Sequence, residues 1–297
     1  ESTVVRIPKP GKAQDHPSGQ RLIHLLRALT KVFTGMLRDR ARIEDRSFQF
    51  GFSAGRSTAG ADAVKFVLVR RLATMKANLC RTSFDLREAF PSVSIGKLDE
   101  HASAPHPDPT VTRARQLLVR CCARAKMRMQ VPEGEVVLEA SSGVRQGDAA
   151  GPCLFKFAFN HALDDCVAQL ERAGALCFWE GGAEDARFGP EERVQASVVA
   201  YADDTEVIGT TSETTAEAFR QQAQEFEDCF ERAALPWGLR MNRAKTVKQC
   251  YPRGKGAYVV ARELCEQGGW SYTQKSLGTV ATSSASIENE VARRRQL

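Results

Sequence analysis

The chain has 297 residues, 42% of them apolar and 26% charged, the balance of an ordinary globular protein and not of a disordered one. Its 42 Lys and Arg against 36 Asp and Glu leave a formal charge of +6, a mild surplus that admits a polyanionic partner only where the charge is clustered. Apolar runs such as 196–202 fall far short of the ~20 residues of a membrane span, no secretory signal opens the chain, and its nine cysteines include no Cys-x-x-Cys pair, so free thiols in a reducing compartment are expected.

Residues 1–20 are polar and rich in Pro, Gly and Lys, which predicts an extended arm or ribbon. From Arg21 onward, Leu22, Leu25, Leu26, Leu29, Val32, Phe33, Met36 and Leu37 recur at helical spacing. A glycine-rich break over 51–58 precedes a second helix through Val64, Val67, Leu68 and Leu72. Residues 80–86 predict a short strand, the proline-rich 103–109 a loop, and 111–129 a basic helix. A strand over 136–138 leads into a turn-rich loop at 141–148, and a further helix covers 152–173. After a polar, acidic insertion at 181–193, the apolar runs 198–201 and 205–209 flank Asp203-Asp204 and predict a β-hairpin. A helix follows over 214–234, then turns and short strands, and a basic, helical end at 291–297. Helices and strands interleave without regular βαβ alternation, which predicts an α+β fold.

Two acidic motifs carry the chemistry. Phe84-Asp85-Leu86-Arg87-Glu88-Ala89-Phe90 places a carboxylate where a strand ends, and Tyr201-Ala202-Asp203-Asp204 places two at a hairpin turn. Adjacent residues of a strand point to opposite faces, and a turn relaxes that rule so both carboxylates can approach one ion. If the two strands pair, their terminal carboxylates meet and repel until a cation neutralises them, and oxygen-only ligands suit Mg2+. Two such ions about 3.5–4 Å apart activate an attacking oxygen and stabilise a leaving phosphate. An Asp-Asp pair alone is more often a turn former; the two motifs in order, with a glycine-rich loop between them, point to a metal site.

These residues, together with Gly51-Phe52-Ser53-Ala54-Gly55-Arg56-Ser57-Thr58, Gly143-Val144-Arg145-Gln146-Gly147-Asp148, the Leu239, Asn242, Lys245, Thr246 block and Leu277-Gly278, resemble in content and order the reverse transcriptases of non-LTR retrotransposons. The form of the Gly143–Asp148 block is similar to the site-specific elements with restriction-like endonucleases. The resemblance implies a right-hand polymerase with fingers and palm, an antiparallel palm sheet backed by helices, and most of the thumb missing. Its implied divisions are fingers at 1–78, palm at 79–102, a fingers/palm insertion with the basic helix at 103–150, palm at 151–280, and the start of a thumb or linker at 281–297.

By the same resemblance, Asp85 and Asp203 hold both Mg2+ ions, with Mn2+ as a substitute, Asp204 completes the triad, and the Leu86 carbonyl is a further ligand. Phe90 matches the steric gate that favours dNTPs, Gln146 and Gly147 the loop beside the incoming nucleotide, and Lys245 a lysine near the triphosphate. Lys9 and Arg21 are candidates for nucleotide phosphates; Arg56, Arg145, Arg120 and Arg124 for the nucleic-acid backbone. The implied partners are an RNA template, a DNA primer, dNTPs and the remaining domains of a larger polypeptide, thumb and endonuclease among them, with no membrane; the implied location is nuclear. The rival reading is a domesticated, catalytically silent RNA-binding protein of the same fold, against which the intact carboxylate triad argues. Leu22 and Ala149-Ala150 depart from the family, which usually has Pro and Pro-Leu there.

Overall fold

The computed structural model describes residues 2–9, 19–123, 125–132, 134–180, 193–271, 273–276 and 279–282. Arg124, Leu277, Gly278, nearly all of the 181–193 insertion and the 291–297 end lie outside them. In chain order the elements are β1 (Ser2–Pro8), β2 (Gln20–Leu25), α1 (Ala28–Ala41), α2 (Thr58–Thr74), β3 (Asn78–Phe84), β4 (Leu86–Arg87), α3 (Ala89–Ser92), α4 (Ile95–Ala102), α5 (Pro109–Cys122), β5 (Lys126–Val131) and β6 (Gly134–Glu139). Then come α6 (Ala150–Arg172), β7 (Phe178–Glu180), β8 (Arg193–Gln195), β9 (Val198–Tyr201), β10 (Asp204–Thr211), α7 (Ala216–Ala234), β11 (Arg240–Met241), β12 (Val247–Tyr251), α8 (Ala257–Glu266), β13 (Thr273–Ser276) and β14 (Thr279–Thr282). The α+β expectation holds. No helix among the described residues is long and apolar enough to cross a membrane.

The chain divides into two compact units. The first comprises Glu1–Glu44, Arg87–His161 and Leu235–Arg240; the second comprises Asp45–Leu86, Ala162–Ala234 and Met241–Leu297. Residues 45–86 thus fall in the second unit.

In the first unit the strand order is β2-β1-β5-β6. β1 runs antiparallel to β2, with Thr3 opposite Leu25 and Pro8 opposite Gln20, and parallel to β5. Two helical expectations are corrected here. Residues 21–25 are strand, and the helix begins only at Ala28, because the 3–4 spacing of the leucines is overridden by pairing with β1. The basic helix stops at Cys122, and Lys126–Val131 is a strand whose burial alternates residue by residue, the period-two pattern of a sheet.

Helix α1 packs against α5 through its small residues. Thr34 and Ala41 are fully buried, and Arg115 of α5 donates from Nε to the Ala41 carbonyl at 2.9 Å. The apolar stripe of α1 lies on the other side: Leu29 is 84% exposed and Met36 68%. An apolar stripe ordinarily faces the core; here small side chains permit close helix approach and the large ones stay outside.

In the second unit the strand order is β12-β3-β10-β9, all antiparallel. Every residue of β3 is buried, as a strand covered on both faces requires. One face packs on α2, where Leu68, Val69 and Leu72 meet Leu79, Ile208 and Tyr251. The other meets α7, where Phe84 stacks on Phe230 with ring centroids 4.4 Å apart. Gly209 lets β10 approach α7 so closely that a Cβ there would overlap Phe226 and the Ala175 carbonyl. Helix α8 occupies 257–266, where turns and short strands were expected, and buries Ala261 and Leu264.

Candidate active site

The carboxylates come from the ends of two neighbouring strands of the second unit. Thr205 pairs with Phe84 across β10 and β3, so one further step of the same register sets Asp204 opposite Asp85. Tyr201 pairs with Asp204, which leaves Ala202 and Asp203 as a two-residue hairpin turn. Strand alternation puts Asp85, Asp204 and Glu206 on the sheet face covered by α2. Asp204 is pushed up to about 6, first by desolvation and then by the charges of Asp203 and Asp85, while Lys65 pulls the other way. The three carboxylates therefore feel one another.

The donor set fits a hard divalent cation: oxygen ligands only, with an excess of negative charge. Among the described residues, however, no three His, Cys, Asp or Glu side chains close on a common point. Asp85 has other company. Its Oδ2 receives the Lys245 ammonium at 2.9 Å and Asn242 Nδ2 at 2.9 Å, and its carbonyl accepts from the Asn242 backbone N–H at 2.7 Å. A cation shared by Asp85 would displace Lys245, which is 56% exposed and swings out at little cost. Leu86 is buried, so its side chain belongs to the core and only its backbone carbonyl is suited to a ligand role.

Arg56 is half-buried and anchored to its own turn. Its Nη1 donates to the carbonyls of Arg46, Ser47 and Gln49, the last at 2.7 Å, and its guanidinium stacks over Phe50. The sequence expectation gave it to nucleic acid; the structure shows Nη1 engaged by carbonyls of its own turn, which anchors the side chain there.

Of the nucleotide-side candidates, Lys245 belongs to the second unit and Phe90, Gln146, Gly147, Arg21 and Lys9 to the first, where the structure brings several together. The Val144 N–H donates to the Phe90 carbonyl at 2.9 Å, and a Cβ at Gly143 (φ +86) would overlap Pro91, so Phe90 and the 143–148 loop are tied directly. The Phe90 ring is half-buried and stacks on Phe155 at 4.8 Å. The Gln146 carbonyl accepts from the His24 N–H at 2.8 Å, and Gly147, at φ +99, lies against Ile23 and His24. Arg21 is exposed on the same strand, opposite Ile7. Lys9 is half-buried just past that pairing, its N–H bonded to the Gly19 carbonyl at 2.7 Å.

Arg145 is corrected. It is 5% exposed and pairs with Asp148 at 3.1 Å, and Asp148 Oδ1 also accepts from Thr34 Oγ1 at 2.9 Å. Arg145 therefore holds the loop from within and does not face a template. Its charge and burial together keep His24 below the usual histidine range, burial being the larger cause. Arg120 stands exposed in the last turn of α5, as a backbone contact requires, and Arg124 lies outside the described residues.

Sequence reasoning missed Gln49. Its side chain is fully buried; Oε1 accepts from the N–H groups of Gly51 at 2.7 Å and Ala202 at 3.0 Å, and Nε2 donates to the Ala202 carbonyl at 3.1 Å. A polar residue two positions before the Gly51 block was the only signal. Asn242 sat within a recognised block without a role.

Carboxylates at the mouth of an antiparallel sheet covered by helices define the palm of a nucleic-acid polymerase. The family model described as reverse transcriptase (RNA-dependent DNA polymerase) matches residues 7–280, and the chain belongs to that family. No curated protein matches the sequence. Solved structures similar to this one include telomerases of Candida species. The apo telomerase of Candida tropicalis truncated from its C-terminal domain has TM-score 0.55 at 13% identity, over 95% of this chain and 53% of that one. The Candida tropicalis telomerase in complex with a TWJ fragment of telomeric RNA has TM-score 0.59 at 13% identity, over 97% and 44%. The corresponding Candida albicans complex has TM-score 0.54 at 12% identity, over 97% and 47%. The chain thus spans about half the length of these structures, and at such identity the likeness is one of fold.

Proposed function

We propose that this chain is the RNA-directed DNA polymerase part of a non-LTR retrotransposon polypeptide, of the site-specific type with a restriction-like endonuclease, acting in the nucleus on an RNA template and a DNA primer. The observation that carries the reading is the carboxylate trio brought together at the ends of β3 and β10, where desolvation first and the charges of Asp203 and Asp85 second raise Asp204 to about 6. Divalent ions bound there would activate the primer 3′-OH and offset charge on the leaving pyrophosphate. Asp85 and Asp203 would hold both ions, Asp204 one, and the Leu86 carbonyl would assist. Asn242 orients Asp85 through two hydrogen bonds. Lys245, once released from Asp85, is a mobile cation for the triphosphate. In the first unit, the Phe90 ring, held by stacking on Phe155, would crowd a ribose 2′-OH, while Gln146 and Gly147 would lie beside the incoming dNTP, with Arg21 and Lys9 for its phosphates.

The test is Mg2+-dependent extension of a DNA primer on an RNA template, with Asp203→Asn beside the wild type. The expected loss in the variant is on the order of 10³-fold or more. Extension by neither protein, with RNA binding retained, would favour the silent RNA-binding reading.

A further inference from the structure

We infer that Gln49 is a positioning residue for the carboxylate hairpin: it holds the turn that carries Asp203 through the backbone of Ala202. The inference rests on the polymerase reading for its functional consequence, and on geometry alone for the clamp itself.

Three observations converge. First, Ala202 adopts φ +57, a left-handed conformation that a side chain with a Cβ takes at a cost of about 1–2 kcal/mol. Two-residue hairpin turns need positive φ and usually recruit Gly or Asn for it; here an alanine stands there, so something outside the turn must hold it. Second, the Gln49 amide meets both backbone groups of Ala202, accepting from its N–H at 3.0 Å and donating to its carbonyl at 3.1 Å. This is the two-bond pattern a neighbouring peptide strand would supply, made by one fully buried side chain. Third, the segment bearing Gln49 is itself fixed against β9. The Phe50 N–H donates to the Ala200 carbonyl at 2.7 Å, and the Ala200 N–H donates to the Phe48 carbonyl at 2.8 Å. A Cβ at Gly51 would overlap the backbone of Ala202, so the cradle closes only on glycine. Arg56 ties the far side of the same turn to its own carbonyls.

Gln49 touches neither the carboxylates nor, in the proposed reaction, a substrate. It acts one residue away. A strained turn persists only where its surroundings over-determine it, and groups that orient metal ligands at second hand typically change metal affinity or activity about 10–100-fold when removed.

The experiment compares wild type, Gln49→Ala, and Gln49→Ala combined with Ala202→Gly, in three readouts. Amide hydrogen exchange follows the Ala202 and Gly51 N–H groups without reference to activity. Titration with Mn2+ alone follows the carboxylates. Primer extension separates kcat from KM. In Gln49→Ala, the Ala202 and Gly51 amides lose protection while β3 and α7 keep theirs. Mn2+ binding weakens and kcat falls about 10–100-fold with KM for primer–template unchanged. Gly at 202 needs no clamp to take positive φ, and restores part of the Mn2+ affinity and of kcat. Unchanged protection at Ala202, or unchanged Mn2+ affinity in a folded Gln49→Ala protein, overturns the inference. If Gln49→Ala does not fold, Gln49→Met keeps roughly the length and volume of the side chain while removing its acceptor and its donor, and the same readouts decide. Wild-type protein that binds Mn2+ without extending primers would overturn the polymerase reading, while exchange and Mn2+ titration still judge Gln49.

Discussion

Two stretches of the same strand treat negative charge in opposite ways. At the start of β10, Asp204 is raised to about 6, by desolvation first and then by the charges of Asp203 and Asp85. Two residues further on the same sheet face, Glu206 is 5% exposed but compensated on both oxygens: Lys65 reaches Oε1 at 3.0 Å, and Arg81 donates from Nε to Oε2 at 2.7 Å. Lys65 is shared with Asp62 at 2.8 Å. The contrast separates scaffold from site. A buried carboxylate serving the fold is given its counter-charges, because burying it alone costs several kcal/mol. Carboxylates serving a cation are left in excess, and the metal-free fold bears the repulsion.

Breaking the compensated end should have the largest effect. Glu206→Leu takes from the buried Arg81 its carboxylate and leaves Lys65 with Asp62 alone, so it should cost about 3–5 kcal/mol in urea unfolding. Adding Lys65→Met should recover part of that loss; additive losses would show that the cluster is not a charge-balanced unit.

Relieving the uncompensated end should do the reverse, more weakly. Asp204→Asn should stabilise the metal-free protein by about 1 kcal/mol at pH 7, after allowing for solvent screening of a partly exposed group. The sign follows from proton binding. Between about pH 4 and 6 the folded state holds the Asp204 proton more tightly than the unfolded state, so metal-free wild type loses stability as pH rises through that window. Asp204→Asn should flatten that slope, and below about pH 4 its advantage should vanish; an equal gain at pH 3 and pH 7 would sink the electrostatic account. The smallest effect belongs to the half-exposed pair. Lys245→Met removes a cation that competes for Asp85, and Mn2+ affinity by calorimetry should rise two- to threefold, the equivalent of about 0.5 kcal/mol.

Legibility in the sequence followed the range of the interactions. The hairpin around Asp203 was readable because apolar runs flank a two-residue turn within a dozen positions, and α2, α6 and α7 were readable from their own periodicity. Residues 21–25 misled because Leu22, Leu25 and Leu26 fit a helix locally, and only β1 makes them a strand. Lys126–Val131 misled because its arginine and lysine continue the charge of α5, while its partner is β6. Arg145 and Arg56 are indistinguishable in sequence from surface arginines; an ion pair inside a loop and three carbonyls in a turn decided otherwise.

The sequence by itself determined the chemistry: which carboxylates exist, that they end strands, and which family assembles them in that order. Tertiary structure alone decided their environment. It set Asp204 opposite Asp85, gave Glu206 its two cations, turned the apolar stripe of α1 outward, and brought Gln49 to Ala202 across 153 positions of chain. The physical reason is that a residue's type fixes what bonds it can make, whereas burial and partners are properties of space, set only when distant segments pack.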